Sequence, residues 1–454
     1  MPTTSRPLAL MVLLASTFIQ LLDTTIVNVA APAIGADLDA GSGRLVLVSA
    51  VYTAALAATL LPAGRFGHRH GPRRVFAVGV ALFTLASAGC GLAPTVDVLI
   101  GMRLVQGVGA GVMVPQALFA ISALWQGPAH RRALGWYGAT MGLASVLGPV
   151  LGALLSESDV AGIGWRAIFA VNVPVGAVVL GALPRCVPVL ARDPEQRVGW
   201  STAAGLAAGV LGLVLAISLA RTVGGVLPWL CGAIGAAVVV VVCALVLQGR
   251  NGRPVTLPLG LWRGPRFRAG SATAAAFFLA VTPFFFLFSQ WLQTVRGLSP
   301  LRAGLLQIPW AVGAIAGSTL AGRRARSPRH SVYAAALVAA SLLVVAVLLP
   351  RVPPVALSPA LFAAGIGYGA FVARVFADTL DGIRPDLRGA ASGALPAIQQ
   401  LSGALGLSCA GLVFFPAGRL AGTVYAYSLP LLCLAVLASL ALVRTHTRTE
   451  SVLV

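Results

Sequence analysis

The stretch FIQLLDTTIVNVAAPAI, residues 18–34, is apolar enough to lie in lipid, yet it carries a carboxylate, Asp23, with Asn28 little more than a helical turn beyond. An ionisable group at the centre of a membrane helix costs about 2.5 to 3.5 kcal/mol on insertion scales, so such groups persist where they face a cavity or a partner. The apolar run around Asp23, from Leu8 to Ala31, follows Arg6, and AAPA at its end loosely resembles a signal cleavage site. The run is too long for the apolar region of a secretion signal and reads as a retained first membrane span.

The rest of the chain has the same character. Of its 454 residues, 58% are hydrophobic and only 10% charged, and the mean hydropathy is +0.91, which places it among membrane proteins. Apolar segments long enough to cross about 30 Å of hydrocarbon as helix recur near residues 8–31, 45–63, 74–93, 97–123, 132–155, 165–184, 200–220, 226–247, 268–290, 302–321, 331–349, 355–376, 390–414 and 424–443. They predict an all-α integral membrane protein with fourteen spans.

The formal net charge of +20 comes from 32 basic residues, all of them arginine. In a soluble chain this would suggest nucleic acid. Here position matters more, because basic residues in short loops stay on the cytoplasmic side. RFGHRHGPRR, Arg131 with Arg132, RNGRP with RGPRFR, and GRRARSPRH alternate with arginine-poor connections, which puts both termini in the cytoplasm. Arg103 and Arg374 fall inside predicted spans. Trp125, Trp136, Trp165, Trp200, Trp229 and Trp291 fall near span ends, where interfacial anchors are expected.

Metal and nucleotide chemistry find no support. Cys90, Cys186, Cys231, Cys243, Cys409 and Cys433 form no CxxC pair, and His68, His70, His130, His330 and His446 lie in basic loops or the tail. There is no P-loop signature and no lysine to complete one. Asp378, Asp381 and Asp386, interleaved with Arg384 and Arg388, read as an ordinary charged loop. No cofactor, metal or enzymatic activity is expected.

A weak repeat is visible. GRFGHRHGPRRVF after the second span is similar to GRRARSPRHSVY after the tenth, and QGVGAG in the fourth to AGIGYG in the twelfth. This spacing fits a six-helix bundle over 1–184, two inserted helices over 185–255, and a second six-helix bundle with a short tail over 256–454. Duplicated bundles are the architecture of secondary transporters.

The chain resembles the major facilitator superfamily, and within it the fourteen-span drug:proton antiporters. The matches occur in order along the chain: LLDTTIVNVAAPAI, GRFGHRHGPRRVF, RLVQGVGAG, GLASVLGPVLGA, GWRAIFAVNVPVG and SQWLQTVRGLSPLRAG. The resemblance implies proton coupling at Asp23 with Arg103. On chemistry alone, a carboxyl can bind and release a proton as its surroundings alternate between wet and dry, and a guanidinium that keeps its charge can compete with that proton. A structural Asp23, capping or bridging to Asn28 or another helix, is the competing reading, as is Arg103 tethering backbone carbonyls. Gln106 shares a helix face with Arg103.

Gating is expected from Gly64, Arg65, His68, Arg69, Gly71, Arg73 and Arg74, and from Gly148, Pro149 and Gly152, the glycine-proline pattern of the family's exporters. Tight packing alone explains the latter run equally well. His68 stands where the family pattern carries an acid, which puts the cytoplasmic latch in doubt, since a histidine supplies no fixed negative charge. Candidate substrate contacts are Gln20, Asn28, Tyr52, Gln106, Gln116, Gln290, Gln307 and Trp310, with Gln293, Gln399 and Gln400 behind them, each equally able to serve as an interhelical hydrogen bond. Phe284 to Phe288 in PFFFLF read as lipid-facing rather than lining a pocket.

The expected activity is proton-coupled export of amphiphilic compounds such as antibiotics by a monomer in the bacterial plasma membrane. Its partners are small-molecule substrate, protons and lipid, and no nucleic acid. The alternatives are uptake or facilitated diffusion of a small solute, or a sensor that binds without pumping.

Overall fold

In this computed structural model the residues described are 5–157, 162–190, 192, 259–323, 329–380, 383 and 388–414, with three isolated glycines between 205 and 212. They are helical apart from short connections. Helices α1 (Ser5–Asp37), α2 (Ser42–His70), α3 (Pro72–Gly91), α4 (Val96–Leu124) and α5 (Gly127–Glu157) are followed by a sixth helical segment. That segment comprises a 3-10 turn, Gly164–Arg166, then α6 (Ala167–Ala170) and α7 (Asn172–Cys186). After the undescribed stretch come α8 (Leu259–Arg263), α9 (Pro265–Thr294), α10 (Pro300–Leu305), α11 (Ile308–Arg323), α12 (Arg329–Leu348), α13 (Ser358–Leu380) and α14 (Arg388–Phe414). Eleven of the fourteen expected spans fall on these helices; those at 200–220, 226–247 and 424–443 lie outside the described residues. Nine helical stretches among the described residues are long and apolar enough to cross a membrane.

The chain divides into two compact units, residues 1–257 and 258–454. In the first, α4 packs between α2 and α3, while α1 packs along α5 and meets α4 and α7. Without a hydrophobic drive between helices in lipid, small residues set how closely backbones approach. Gly109 of α4 lies against the backbone of Phe83, and a Cβ on Gly152 of α5 would sit 2.8 Å from the Ile26 carbonyl oxygen. Around these seams Leu22, Ile26, Val48, Leu99, Trp165 and Phe169 form an apolar core toward the C-terminal half of α1.

The second unit repeats these pairings: α13 lies between α11 and α12, and α9 packs on α14 and α13. Its glycines play matching parts. Gly107 and Gly111 on α4 face α2, as Gly365 and Gly369 on α13 face α11. Gly148 of α5 meets Thr25 on α1, as Gly403 of α14 meets Thr282 on α9. The repeat seen in sequence is therefore also a repeat of contacts.

Several expectations are corrected. The basic loop between the second and third spans is mostly helix: α2 continues to His70, and only Gly71, at φ 98°, separates it from Pro72 at the start of α3. Phe284, Phe286 and Phe288 are buried rather than lipid-facing, because α9 packs on both α13 and α14. Trp165 is buried and donates to Asp37 at 3.0 Å, so it ties two helices instead of floating in an interface; Trp136 is exposed, as an anchor should be. Asp378 is not in a loop: α13 runs on to Leu380 and buries it one turn from the buried Arg374.

Candidate functional site

Asp23 lies on α1 at the level where α2, α3, α4 and α7 converge. Arg103 and Gln106 reach it together because they are three residues apart on α4 and share a face. The helix starts cleanly above them: Thr95 caps α4 by accepting from the Val98 amide at 3.4 Å, with Asp97 in the first turn. Ser87 comes from α3, Tyr52 from α2 and Asn172 from the first position of α7. Each of these six residues is at most 1% exposed.

Arg103 Nη1 donates to Asp23 Oδ2 in a short charge-assisted contact and to Gln106 Oε1 at 2.7 Å, while its Nε donates to the Val48 carbonyl at 3.1 Å. Its guanidinium lies 4.0 Å from the Tyr52 ring centroid and 5.7 Å from that of Phe169. Asp23 Oδ1 accepts from Gln106 Nε2 at 2.9 Å and from Asn172 Nδ2 at 3.1 Å. Ser87 Oγ accepts from the same two amides, at 2.6 and 3.2 Å. The carboxylate is thus fully dressed with donors, the arrangement a buried ionised acid requires.

A second, more open polar strip adjoins it. Gln20 Nε2 donates to Thr24 Oγ1 at 3.3 Å and to Tyr52 Oη at 3.5 Å, while the Tyr52 hydroxyl donates to the Gln20 carbonyl at 3.2 Å. Asn28 is no partner of Asp23; it accepts from Ser49 Oγ at 3.3 Å. Of the structural alternatives, Asp23 does not bridge to Asn28 but does bridge to other helices, α4 and α7, and Arg103, besides holding the Val48 carbonyl, pairs with the acid.

The remaining candidates disperse. Gln116 donates to the Ala63 carbonyl at 2.7 Å and fills the space beside Gly67, so it joins α4 to α2. His68 packs edge-on against Phe119 of α4 with ring centroids 4.4 Å apart. Gly64, Arg65 and Arg69 lie on the end of α2 and Arg73 and Arg74 on the start of α3, with Gly71 between. Gly148 and Gly152 face α1, with Pro149 inside α5. In the second unit Gln307 bonds back to the Ala303 carbonyl at 3.3 Å, Gln293 meets Ser289 Oγ at 3.1 Å, Gln290 is buried, and Gln399 and Gln400 are half-buried. Trp310 packs among Phe284, Phe285 and Tyr368, with centroid separations of 5.6, 4.9 and 5.8 Å. Sequence reading passed over Ser87 and Asn172. Asn172 had a signal, a polar amide inside the apolar run IFAVNVPVG, the same kind of anomaly that drew attention to Asp23.

The sequence pattern of the Major Facilitator Superfamily matches residues 13–407. The chain belongs to the major facilitator superfamily. This major facilitator protein is 34% identical to a probable actinorhodin transporter of Streptomyces coelicolor, across 91% of this chain and 73% of that one. It is 30% identical to the puromycin resistance protein of Streptomyces alboniger, across 99% and 93% of the two chains. It is also 31% identical to the methylenomycin A resistance protein of Streptomyces coelicolor, across 86% and 82%. Among solved structures, it matches a D-xylose-proton symporter with a TM-score of 0.67 at 14% identity, over 95% of this chain and 96% of that one. The human organic anion transporter MFSD10 gives a TM-score of 0.64 at 16% identity, over 97% and 100%. It is a multi-pass membrane transporter.

Proposed function

We propose that this transporter exports amphiphilic organic compounds, antibiotics among them, in exchange for protons that bind at Asp23. The observation that carries the reading is a buried carboxylate whose countercharge, Arg103, sits on another helix. When Asp23 is ionised, α1 and α4 are held together by a charge-assisted bond in a low-dielectric core. A proton on Asp23 cancels the carboxylate charge, and with it most of what holds the guanidinium to α1. Arg103 keeps its other partners, Gln106 and Val48. The two protonation states therefore favour different α1–α4 contacts, which is the differential a proton needs to shift a conformational equilibrium. Export rather than uptake, and the antibiotic substrate class, are supported by the names of the relatives, two of which concern resistance to a named antibiotic.

The test uses inverted vesicles energised to an acidic interior, with a pH-sensitive dye and a panel of antibiotics and amphiphilic dyes. Wild type is expected to release protons when a substrate is added, and Asp23→Asn at matched expression to release none. Equal responses from the two proteins would make Asp23 structural.

A further inference from the structure

Within the Asp23 cluster one buried atom is unaccounted for. Asn172 Oδ1 is fully buried and has no hydrogen-bond partner, although the same amide uses its Nδ2 twice. A buried acceptor left unpaired is unfavourable, so this orientation is held only by what Nδ2 gains from Asp23 and Ser87.

The other amide on Asp23 has no such freedom. Gln106 Oε1 accepts from Arg103 at 2.7 Å and from Cys90 Sγ at 3.6 Å. A guanidinium can only donate, so Gln106 must keep its oxygen toward Arg103 and its nitrogen toward Asp23. Asn172 is pinned only by Ser87, and a hydroxyl can donate or accept equally.

We propose that Asn172 is the positioning residue that reads the protonation state of Asp23, an inference that rests on the function proposed above. With Asp23 ionised, Nδ2 donates to Oδ1, as seen. When a proton binds Asp23 Oδ1, that oxygen becomes a donor and no longer needs two amide donors. Gln106 cannot turn, so Asn172 does: a half-rotation of its amide brings Oδ1 to accept the new O–H, and Ser87 switches with it. No covalent bond other than the O–H is made or broken; the rest is an exchange of hydrogen bonds.

The place of Asn172 gives the switch an output. It opens α7, where the chain keeps helical dihedrals through Val171, and Pro174, two residues on, has no N–H to give the Ala170 carbonyl, so the helix lacks a backbone bond beside Asn172. The outer piece of the segment is tied separately to the end of α1, where Arg166 Nη1 and Trp165 Nε1 donate to Asp37 at 2.7 and 3.0 Å. Among the described residues, the titratable and charged groups facing Asp23 are Arg103 from α4, Tyr52 from α2 and Cys90 from α3, while α5 brings Gly148 to the neighbouring Thr25. Arg103 can only donate, the Tyr52 hydroxyl is engaged with Gln20, and the Cys90 thiol donates to Gln106, so the Asn172 amide is the group placed to answer the carboxyl either way.

The experiment compares wild type, Asn172→Leu, Asn172→Ser and Asp23→Asn in the vesicle assay across pH, with infrared difference spectra of the purified full chain carrying isotope-labelled asparagine. Asn172→Leu removes a charge-assisted bond from the ionised form and a weaker neutral one from the protonated form. Its pH profile of turnover should move alkaline by about half to one unit, and Asn172→Ser, which can donate and accept, should move most of the way back. An asparagine side-chain band should shift as pH is lowered in wild type and stay still in both Asp23→Asn and Asn172→Leu. If Asn172→Leu keeps the wild-type profile, or the band does not follow Asp23, the switch is wrong while antiport stands. If Asp23→Asn still exchanges protons, the underlying reading fails first.

Discussion

Arg103 combines three contacts that lysine cannot make together: Nη1 to Asp23 and Gln106, Nε to the Val48 carbonyl, and a flat face over Tyr52. Arg103→Lys is accordingly expected to fold but to lose coupled transport in the vesicle assay. Arg103→Ala leaves the Asp23 carboxylate buried and unmatched, which should lower unfolding stability in detergent by about 3 to 5 kcal/mol. The pair Asp23→Asn with Arg103→Gln carries no buried charge and should recover most of that loss without recovering transport; a double mutant as unstable as Arg103→Ala would mean that charge burial is not the cause. Asp23, Arg103 and Gln106 were legible in the sequence because strongly polar side chains inside apolar runs are few. Which of them touch was not legible, since Asp23 and Arg103 are far apart along the chain and meet only through the α1–α4 crossing. Ser87 and Asn172 were less conspicuous for a chemical reason, as serine and asparagine commonly serve as ordinary interhelical bonds.

At the scale of elements, the end of α2 shows what the sequence misled about. Its arginines and glycines read as a loop, but arginine is a good helix former and no proline interrupts Gly64 to His70. The helix therefore continues until Gly71, whose φ of 98° suits glycine. Gly67 inside this extension serves close approach: a Cβ there would strike the Gln116 amide, which bonds the Ala63 carbonyl across the seam. Gly67→Ala should cost about 1 to 3 kcal/mol by overpacking and weaken transport. Because the obstacle is the end of a flexible side chain, adding Gln116→Ala should return most of the stability. Gly111→Ala offers the contrast. Its Cβ would lie 2.7 Å from the Leu56 carbonyl oxygen, a backbone atom, so no partner truncation at Thr59 should rescue it fully. Thermal unfolding of the four variants decides between these outcomes.

At the scale of the whole molecule, the scaffold is duplicated and the charge cluster is not. The step that carries Gly107 and Gly111 onto Gly365 and Gly369 also carries Tyr52 onto Trp310, Arg103 onto Leu361 and Gln106 onto Ala364, and the Thr25–Thr282 match sets Asp23 beside Ala280. Leu361, Ala364 and Ala280 are all buried, so the second unit keeps the packing of the first with apolar residues where the proton site would be. The inserted segments near 200–220 and 226–247 lie outside the described residues, and labelling can count them. In a cysteine-free background, Arg69→Cys should react with a membrane-impermeant maleimide only in inverted vesicles, and Arg351→Cys only on intact cells, because the basic loops stay inside. Arg221→Cys, between the inserted segments, should label like Arg351→Cys. If Arg221→Cys labels like Arg69→Cys while the other two behave as expected, neither inserted segment crosses and the chain has twelve spans. If Arg69→Cys and Arg351→Cys label from the same side, an odd number of segments has been miscounted between them. Reversal of all three would overturn the orientation read from the arginines and place the end of α2, with His68, outside the cell.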